Sequence, residues 1–555
     1  MNRRLPNEIL SHILNLVGEE STLDLKPLVL VNRQWNSMAA SNLLKVICVS
    51  SLGELVRLCN QIIEYHNPEN SLRSSVAKYT KTLIVSGIIN GTADSHLGLD
   101  DLGDQPRGTG EESEDYAIPA DIKMEPDMIR SKLHTALSRL VLLEGFEWYG
   151  RFAGDYYLVR YLQQTKIIRH LAYGIDMFVS SESLAYREHA FSFEGLETLA
   201  VTSEYEPSSE LFCAVAQMMH RNPNLHSILF DCKYAESMSG NWSLVDFLCD
   251  TSLDERTVFV WPRLSHLVLR FWKGDLWQSA EEVELLANFL IAHSKLQTLV
   301  LQETCLEGSE SENSKPLSLA GYPASLPVLK RLLASPRLIA GILESHAACA
   351  SVQRVIDNSG EGFDSEGAKA PCVERIMDAI ERVPNNRIQR LRLEVPQLSR
   401  DVYARIARIA PRIRFLEFLR ALDQGSTTPN DSAFDPVVDI PFGLNKFPNL
   451  EIIGEHIAKD FTKALDAQMR YGLIELVGLV TRIKAIHVSE GRLVTVFPHP
   501  YGGRATIRGA PRFLDNQDYD WMPFDVDWRH SSVSLRETKR LRGLNEFANL
   551  EFDYS

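Results

Sequence analysis

Three observations predict an α/β chain in which a short three-helix head precedes a solenoid of strand-plus-helix units. A short pattern, apolar at its first, fourth and often sixth positions, recurs along the chain at intervals of roughly thirty residues. Amphipathic helical stretches lie between the copies. Residues 5–51, by contrast, read as three short helices, their apolar side chains at helical spacing up to Leu44.

The head is the stretch around which the rest is organised. Its first helix starts after Pro6, where a missing N–H costs nothing, and carries Ile9, Leu10, Ile13, Leu14 and Val17. After a break at Gly18, Asp24 is placed to cap a second helix bearing Leu25, Leu28, Val29 and Val31. A third runs from about Asn32 through Trp35 and Met38 to Leu43 and Leu44. These apolar residues exceed what so small a unit can bury, which implies a partner, the following domain, or both.

Leu5-Pro6, Glu8-Ile9-Leu10, Ile13-Leu14, the Leu28-x-x-Val31-Asn32-Arg33-x-Trp35 run and Leu43-Leu44 together resemble the F-box. That helical module docks on the Skp-type adaptor of cullin-RING ubiquitin ligases. The sequence departs from the family where Leu44-Lys45-Val46 replaces a frequent Leu-Trp pair. The resemblance implies adaptor contact through Leu5, Pro6, Ile9, Leu10, Ile13, Leu28, Val31 and Trp35, some of which must instead hold the helices together.

The repeats follow. The best copies begin at Leu137, Leu196, Leu225, Leu264, Leu296 and Ile388, each three residues before its middle apolar residue, with weaker ones around Leu171, Leu416, Ile453 and Ile486. Helices are legible from Gly53 to about Tyr65, from Glu210 to His220 and from Ala280 to His293. Asn-Pro-Asn-Leu or Pro-Arg-Leu introduces several strands, the proline ending the helix before it. The pattern resembles the irregular leucine-rich repeat of F-box proteins, without its regular Asn or Cys ladder. Domains are expected at 1–51 (F-box), 52–489 (solenoid) and 490–555 (an irregular C-terminal cap). Gly-rich, acidic stretches near 90–127, 307–325, 358–371 and 424–436 read as disordered insertions.

Composition sets further bounds. The chain has 555 residues, of which 45% are hydrophobic, enough for a substantial core. The net charge of −15 argues against general affinity for nucleic acid or anionic membrane, so partners are expected to be proteins. Eight scattered cysteines form neither a disulfide framework nor a zinc pattern, and no metal or cofactor is expected. With no membrane-length apolar run and no secretory leader, an intracellular location, cytoplasmic or nuclear, is expected.

The sequence lacks a G-x-S-x-G elbow, an H-E-x-x-H helix, a phosphate-binding P-loop and a dinucleotide-binding glycine pattern. No residue set in the sequence nominates an active site, and the F-box resemblance implies a chain that performs no chemistry of its own. Arg390 and Arg392, flanking a middle apolar residue, are expected side by side on the concave sheet as candidate target contacts, since guanidinium groups suit acidic or phosphorylated segments. Arg405, Arg408, Arg412, Arg414 and Arg420 extend this basic stretch. Phe146, Trp148 and Tyr149, and Phe271, Trp272 and Trp277, are either buried packing or interface anchors.

The family resemblance implies a substrate receptor of an SCF-type ligase, joined through the adaptor to a cullin and through its repeats to a protein target. A repeat scaffold with no role in ubiquitin transfer, and an enzyme whose site forms only in three dimensions, fit the same residues.

Overall fold

A computed structural model describes residues 39, 44–49, 52–64, 75–85, 126–148, 156–174, 191–203, 209–232, 247–250, 257–271, 280–303, 316–357, 366–395, 398–420, 435–464, 476, 479, 480, 483, 485–488 and 492–495. The chain divides into two compact units, Met1–Val201 with Trp528–Glu546, and Thr202–Asp527 with Phe547–Ser555.

The first unit runs β1 (Val46–Val49), α1 (Leu52–Glu64), α2 (Ser75–Tyr79), β2 (Thr82–Val85), α3 (Pro126–Leu137), β3 (Gly145–Trp148), α4 (Tyr156–Thr165) and β4 (His170–Gly174), with β5 (Thr198–Ser203) at its boundary. Strands β1 to β4 pair in sequence order, all parallel. Leu83 of β2, Phe146 of β3 and Leu171 of β4 stand in register and are buried. Gly145 is required opposite Thr82, because a Cβ there would sit 2.8 Å from the threonine hydroxyl.

The second unit carries α5 (Ser209–Arg221), β6 (Ser227–Cys232), a separate antiparallel pair β7 (Cys249–Asp250) and β8 (Thr257–Val258), β9 (His266–Phe271), α6 (Ala280–Ala292) and β10 (Thr298–Glu303). It continues with β11 (Arg331–Ala334), α7 (Pro336–Leu343), α8 (His346–Ser351), β12 (Arg354–Asp357), α9 (Glu366–Glu381), β13 (Arg390–Val395), α10 (Arg400–Ile409) and β14 (Phe415–Arg420). It closes with α11 (Pro436–Leu444), β15 (Ile452–Ile453), α12 (Glu455–Ala464), β16 (Ala485–Val488) and β17 (Arg492–Thr495). The sheet order is β6-β9-β10-β11-β12-β13-β14-β15-β16-β17. Pairing is parallel from β6 to β16 and antiparallel between β16 and β17.

The repeat pattern becomes structure through its middle apolar residue. Ile228, Leu267, Leu299, Leu332, Val355, Leu391, Leu416 and Ile453 are mutually in register across eight strands, and none is more than 1% exposed. Each such burial contributes about 1.5–3 kcal/mol before chain entropy is counted. Phe212 of α5 meets Phe230 of β6 edge-on at 5.6 Å, and Tyr403 of α10 meets Phe418 of β14 at 5.2 Å, which fixes this as the helix-covered face.

From β2 to β5 and from β9 to β15, each strand is started by one carbonyl of its predecessor in the sheet, which accepts two successive N–H donors. Lys330 O takes the amides of Gln353 and Arg354 at 2.9 and 3.0 Å, and Gln353 O those of Gln389 and Arg390 at 2.8 and 3.0 Å. Lys81 O does the same for Glu144 and Gly145 in the first unit. Because the fork recurs at unequal loop lengths, the strands stay in register although the unit length wanders. Local capping supports the helices: Ser399 accepts from Val402 N–H at 3.3 Å at the start of α10, and Asp435 from Val437 N–H at 3.0 Å at the start of α11.

Several expectations are corrected. The helical domain drawn as 1–51 is too long, because Val46-Ile47-Cys48-Val49 is a strand paired with β2; its β-branched run suits a sheet. The copy read at Leu137–Leu142 is displaced, since α3 ends at Leu137 and the strand is Gly145–Trp148. Leu143-Glu-Gly-Phe146-Glu-Trp148 fits the same pattern, and only the helix end decides between them. The structure adds two copies to the pattern, Leu329-Lys-Arg-Leu332 at β11 and Val352-Gln-Arg-Val355 at β12.

The insertion drawn as 307–325 ends too late. Leu317 and Leu319 are buried, and Leu319 N–H donates to Gly341 of α7 at 3.0 Å. The insertion near 358–371 likewise gives way to α9 at Glu366, and Asp435 and Pro436, inside the one near 424–436, begin α11. Strand β17 lies within the expected cap at 490–555, the rest of which falls outside the described residues, as does the stretch near 90–125.

Candidate functional site

Side chains alternate across a strand, so the residues on either side of each spine residue belong to the face opposite the helices. On that face three arginines occupy directly paired positions on adjacent strands: Arg331 of β11, Arg354 of β12 and Arg390 of β13. Parallel strands lie about 4.8 Å apart, so this is a ladder of like charges at close quarters. Phe415 of β14 is the next rung, and the Arg390 guanidinium lies over its ring at 4.4 Å. In the other direction the row continues through Thr298 and His266 to Ser227.

His266 senses the ladder's field. Its pKa falls from 6.5 to about 4, chiefly because burial disfavours the charged ring, and further because Arg331, His226 and Lys330 repel a proton. The imidazole is therefore neutral at physiological pH.

The next row of the same face is apolar over five strands: Leu229, Val268, Val300, Leu333 and Ile356, in register. It then turns ionic. Arg392 pairs with Glu417 across β13 and β14 at 3.5 Å, and the same carboxylate takes His456 of α12 at 3.0 Å. Beyond the apolar row, Asp231 and Arg270 form a buried ion pair at 3.6 Å. Most of this face is buried, Arg331 and Arg390 included, and Arg354 and Arg392 are its more accessible cations.

Arg390 and Arg392 do share this face, two residues apart, in different company. Arg390 belongs to the ladder and is only 7% exposed, while Arg392 is engaged by Glu417. Arg331 and Arg354 were missed because their repeat copies were missed. The signal was present: in Leu329-Lys-Arg-Leu332, Val352-Gln-Arg-Val355 and Ile388-Gln-Arg-Leu391 an arginine precedes the middle apolar residue three times running.

Three further arginines of the basic stretch meet acids of neighbouring elements. Arg405 on α10 contacts Glu374, Asp378 and Glu381 of α9, at 2.6, 2.5 and 3.4 Å. Arg408 adds a bond to Glu381, and Arg414 pairs with Glu451. Phe146 and Trp148 are fully packed in β3 and so belong to the core. Tyr149, Trp272 and Trp277 lie outside the described residues, as do Leu5, Pro6, Ile9, Leu10, Ile13, Leu28, Val31 and Trp35. Among the described residues no cluster of His, Cys, Asp or Glu has a metal-binding arrangement, and no helix is long and apolar enough to cross a membrane.

The fold defines the class of protein: a parallel strand-and-helix repeat array. No protein-family model matches the chain, and no curated protein does. Among solved structures it is similar to a chain of the crystal structure of the Rad7 and Elc1 complex in yeast, with 12% identity and a TM-score of 0.38 over 76% of this chain and 90% of that one. Values that low transfer no function.

Proposed function

We propose that this chain is a substrate-receptor subunit of an SCF-type cullin-RING ubiquitin ligase. The carrying observation is the ordered set Leu5-Pro6, Ile9-Leu10, Ile13-Leu14 and Leu28-x-x-Val31-Asn32-Arg33-x-Trp35, standing just upstream of a repeat array whose first strand begins at Val46. In this reading the head docks the Skp-type adaptor, and through it a cullin. The repeat array holds a protein target, with Arg354 and Arg392, beside the buried Arg390, as the candidate contacts. The chain performs no chemistry; it tethers the target and raises the effective concentration of its lysines near the charged conjugating enzyme.

The test uses the full chain, so that β1 stays intact. Ile9→Asp combined with Ile13→Asp places two charges on the stripe expected to meet the adaptor. Affinity capture should recover adaptor and cullin with the native chain and lose at least about nine-tenths of both with the variant, as roughly 2–4 kcal/mol of binding is removed. Equal recovery from both chains, or recovery from neither, rejects the docking and leaves a scaffold.

A further inference from the structure

The second unit meets solvent along the rim of its sheet where each helix turns into the next strand, and several of these turns share one build. Leu225, Leu264, Leu296, Leu329 and Ile413 each donate N–H to the carbonyl three residues earlier, at 3.1, 3.0, 3.1, 3.2 and 3.3 Å. Proline fills the second place of the turn at Pro223, Pro262, Pro327 and Pro411, where its fixed φ suits that position. The third place points to solvent: Asn224, Arg263, Lys295, Val328 and Arg412 are all exposed. Before β13 the turn closes one residue sooner, Asn386 N–H donating to Val383 O at 3.1 Å, and the exposed Arg387 follows it.

Register joins these turns into a line. The carbonyl forks align the first residues of β9 to β14, so the residues just before them, Arg263, Lys295, Val328, Ser351, Arg387 and Arg412, form one row along the rim. Its charge runs against that of the chain, whose net value is −15. The stretches 221–226, 261–265, 293–297, 326–330, 351–353, 382–389, 410–414 and 445–451 hold nine lysines and arginines but one carboxylate, Glu451, which Arg414 engages at 2.5 Å. Among the described residues no carboxylate pairs with Arg263, Lys295, Arg387 or Arg412.

We infer that this rim is a docking surface for an extended segment of a partner protein that carries carboxylates at both of its ends and uncharged residues between them. Arg263 and Lys295 precede adjacent strands, as do Arg387 and Arg412, and only Val328 and Ser351 stand between the two pairs, over about 14 Å at strand spacing. The whole row spans roughly 24 Å, which about eight extended residues cover. Guanidinium forks take carboxylates bidentately. A nucleic acid, charged at every phosphate, would lay anions over the uncharged middle and meet the repulsion of an acidic chain on either side. The surface lies at the turns, apart from the sheet face that bears Arg354 and Arg392, and it stands whether or not the head docks an adaptor.

Fluorescence anisotropy of the full chain with a labelled synthetic peptide tests this without any adaptor present. The probe has about ten residues, a pair of glutamates at each end and alanine and valine between. At about 50 mM salt it should bind saturably, and raising the salt to about 0.5 M should weaken binding at least about tenfold. Arg387→Gln with Arg412→Gln, or Arg263→Gln with Lys295→Gln, should each weaken it at least about fivefold, while the urea midpoint stays put because these side chains are exposed. A peptide of the same composition with its glutamates gathered at the centre should bind at least about threefold more weakly, a difference that general charge attraction does not produce. Absence of saturable binding, equal affinity for the two peptides, or unchanged affinity in both double variants overturns the inference. Tighter binding of a single-stranded oligonucleotide of equal charge overturns it as well.

Discussion

At the residue scale, His266 shows how one local choice acquires a consequence through its neighbours. Its ring is 5% exposed, beside the cationic ladder, and takes a proton only near pH 4. In the unfolded chain the same ring protonates near 6.5. Above that pH both states are neutral and the residue contributes no pH dependence. As the pH falls from 6.5 toward 4 the unfolded state binds a proton that the folded state refuses, so stability is lost across that window. The shift corresponds to about 3 kcal/mol at its limit. His293, also buried, is shifted the same way by burial, partly offset by its bond to Phe289 O. Equilibrium denaturation at several pH values should show a shallower acid limb for His266→Asn than for the native chain. Identical limbs would remove His266 from the account. Asp357 makes the opposite use of burial: fully inside, its carboxylate accepts the Glu394 N–H at 2.9 Å and ties β12 to β13.

At the scale of the element, the instructive case is the segment from Pro316 to Ser325, which composition assigned to a disordered insertion. Two buried leucines anchor it together with bonds from Ser345 and Ala347 to the Pro323 carbonyl, and what admits Leu317 is Gly341 in α7. A Cβ at that position would collide with the Leu317 carbonyl, while the Gly341 carbonyl accepts from Leu319 N–H. Gly341→Ala should gain up to about 1 kcal/mol of helix propensity. It should still destabilise the protein by roughly 1–3 kcal/mol net, because backbone rather than a pliable side chain blocks the methyl. The midpoint of urea unfolding measures this, and a neutral or stabilising result would mean that the segment does not rest on the helix. The basic stretch teaches a related lesson. Arginines adjacent in sequence part company between a strand, where Arg390 joins the ladder, and a helix, where Arg405 and Arg408 meet the acids of α9.

For the whole molecule, the array's logic is nearest-neighbour: most strands are started by the carbonyl of the one before and bury one spine residue between two others. Leu332 sits mid-array in the second unit. Leu332→Ala should cost about 2–5 kcal/mol. It should also strip hydrogen-exchange protection from β10 to β12 before β14 and β15. Uniform loss across the unit would show instead that it unfolds as one cooperative block.

The sequence by itself determined the class of the array, the spine residues of most strands and three of the helices between them, because periods of two and of 3.6 are local properties that a window of the chain displays. It also carried the motif of the head, on which the functional proposal stands. The tertiary structure alone decided register: that Arg331, Arg354 and Arg390 meet on three adjacent strands, that the strand after α3 is Gly145–Trp148 and not the equally plausible Leu137 copy, and that Val46 already belongs to the sheet. Register depends on where each helix ends and how each loop of unequal length returns to the same carbonyl fork, and those distances are set by packing between elements, which no single stretch of sequence contains.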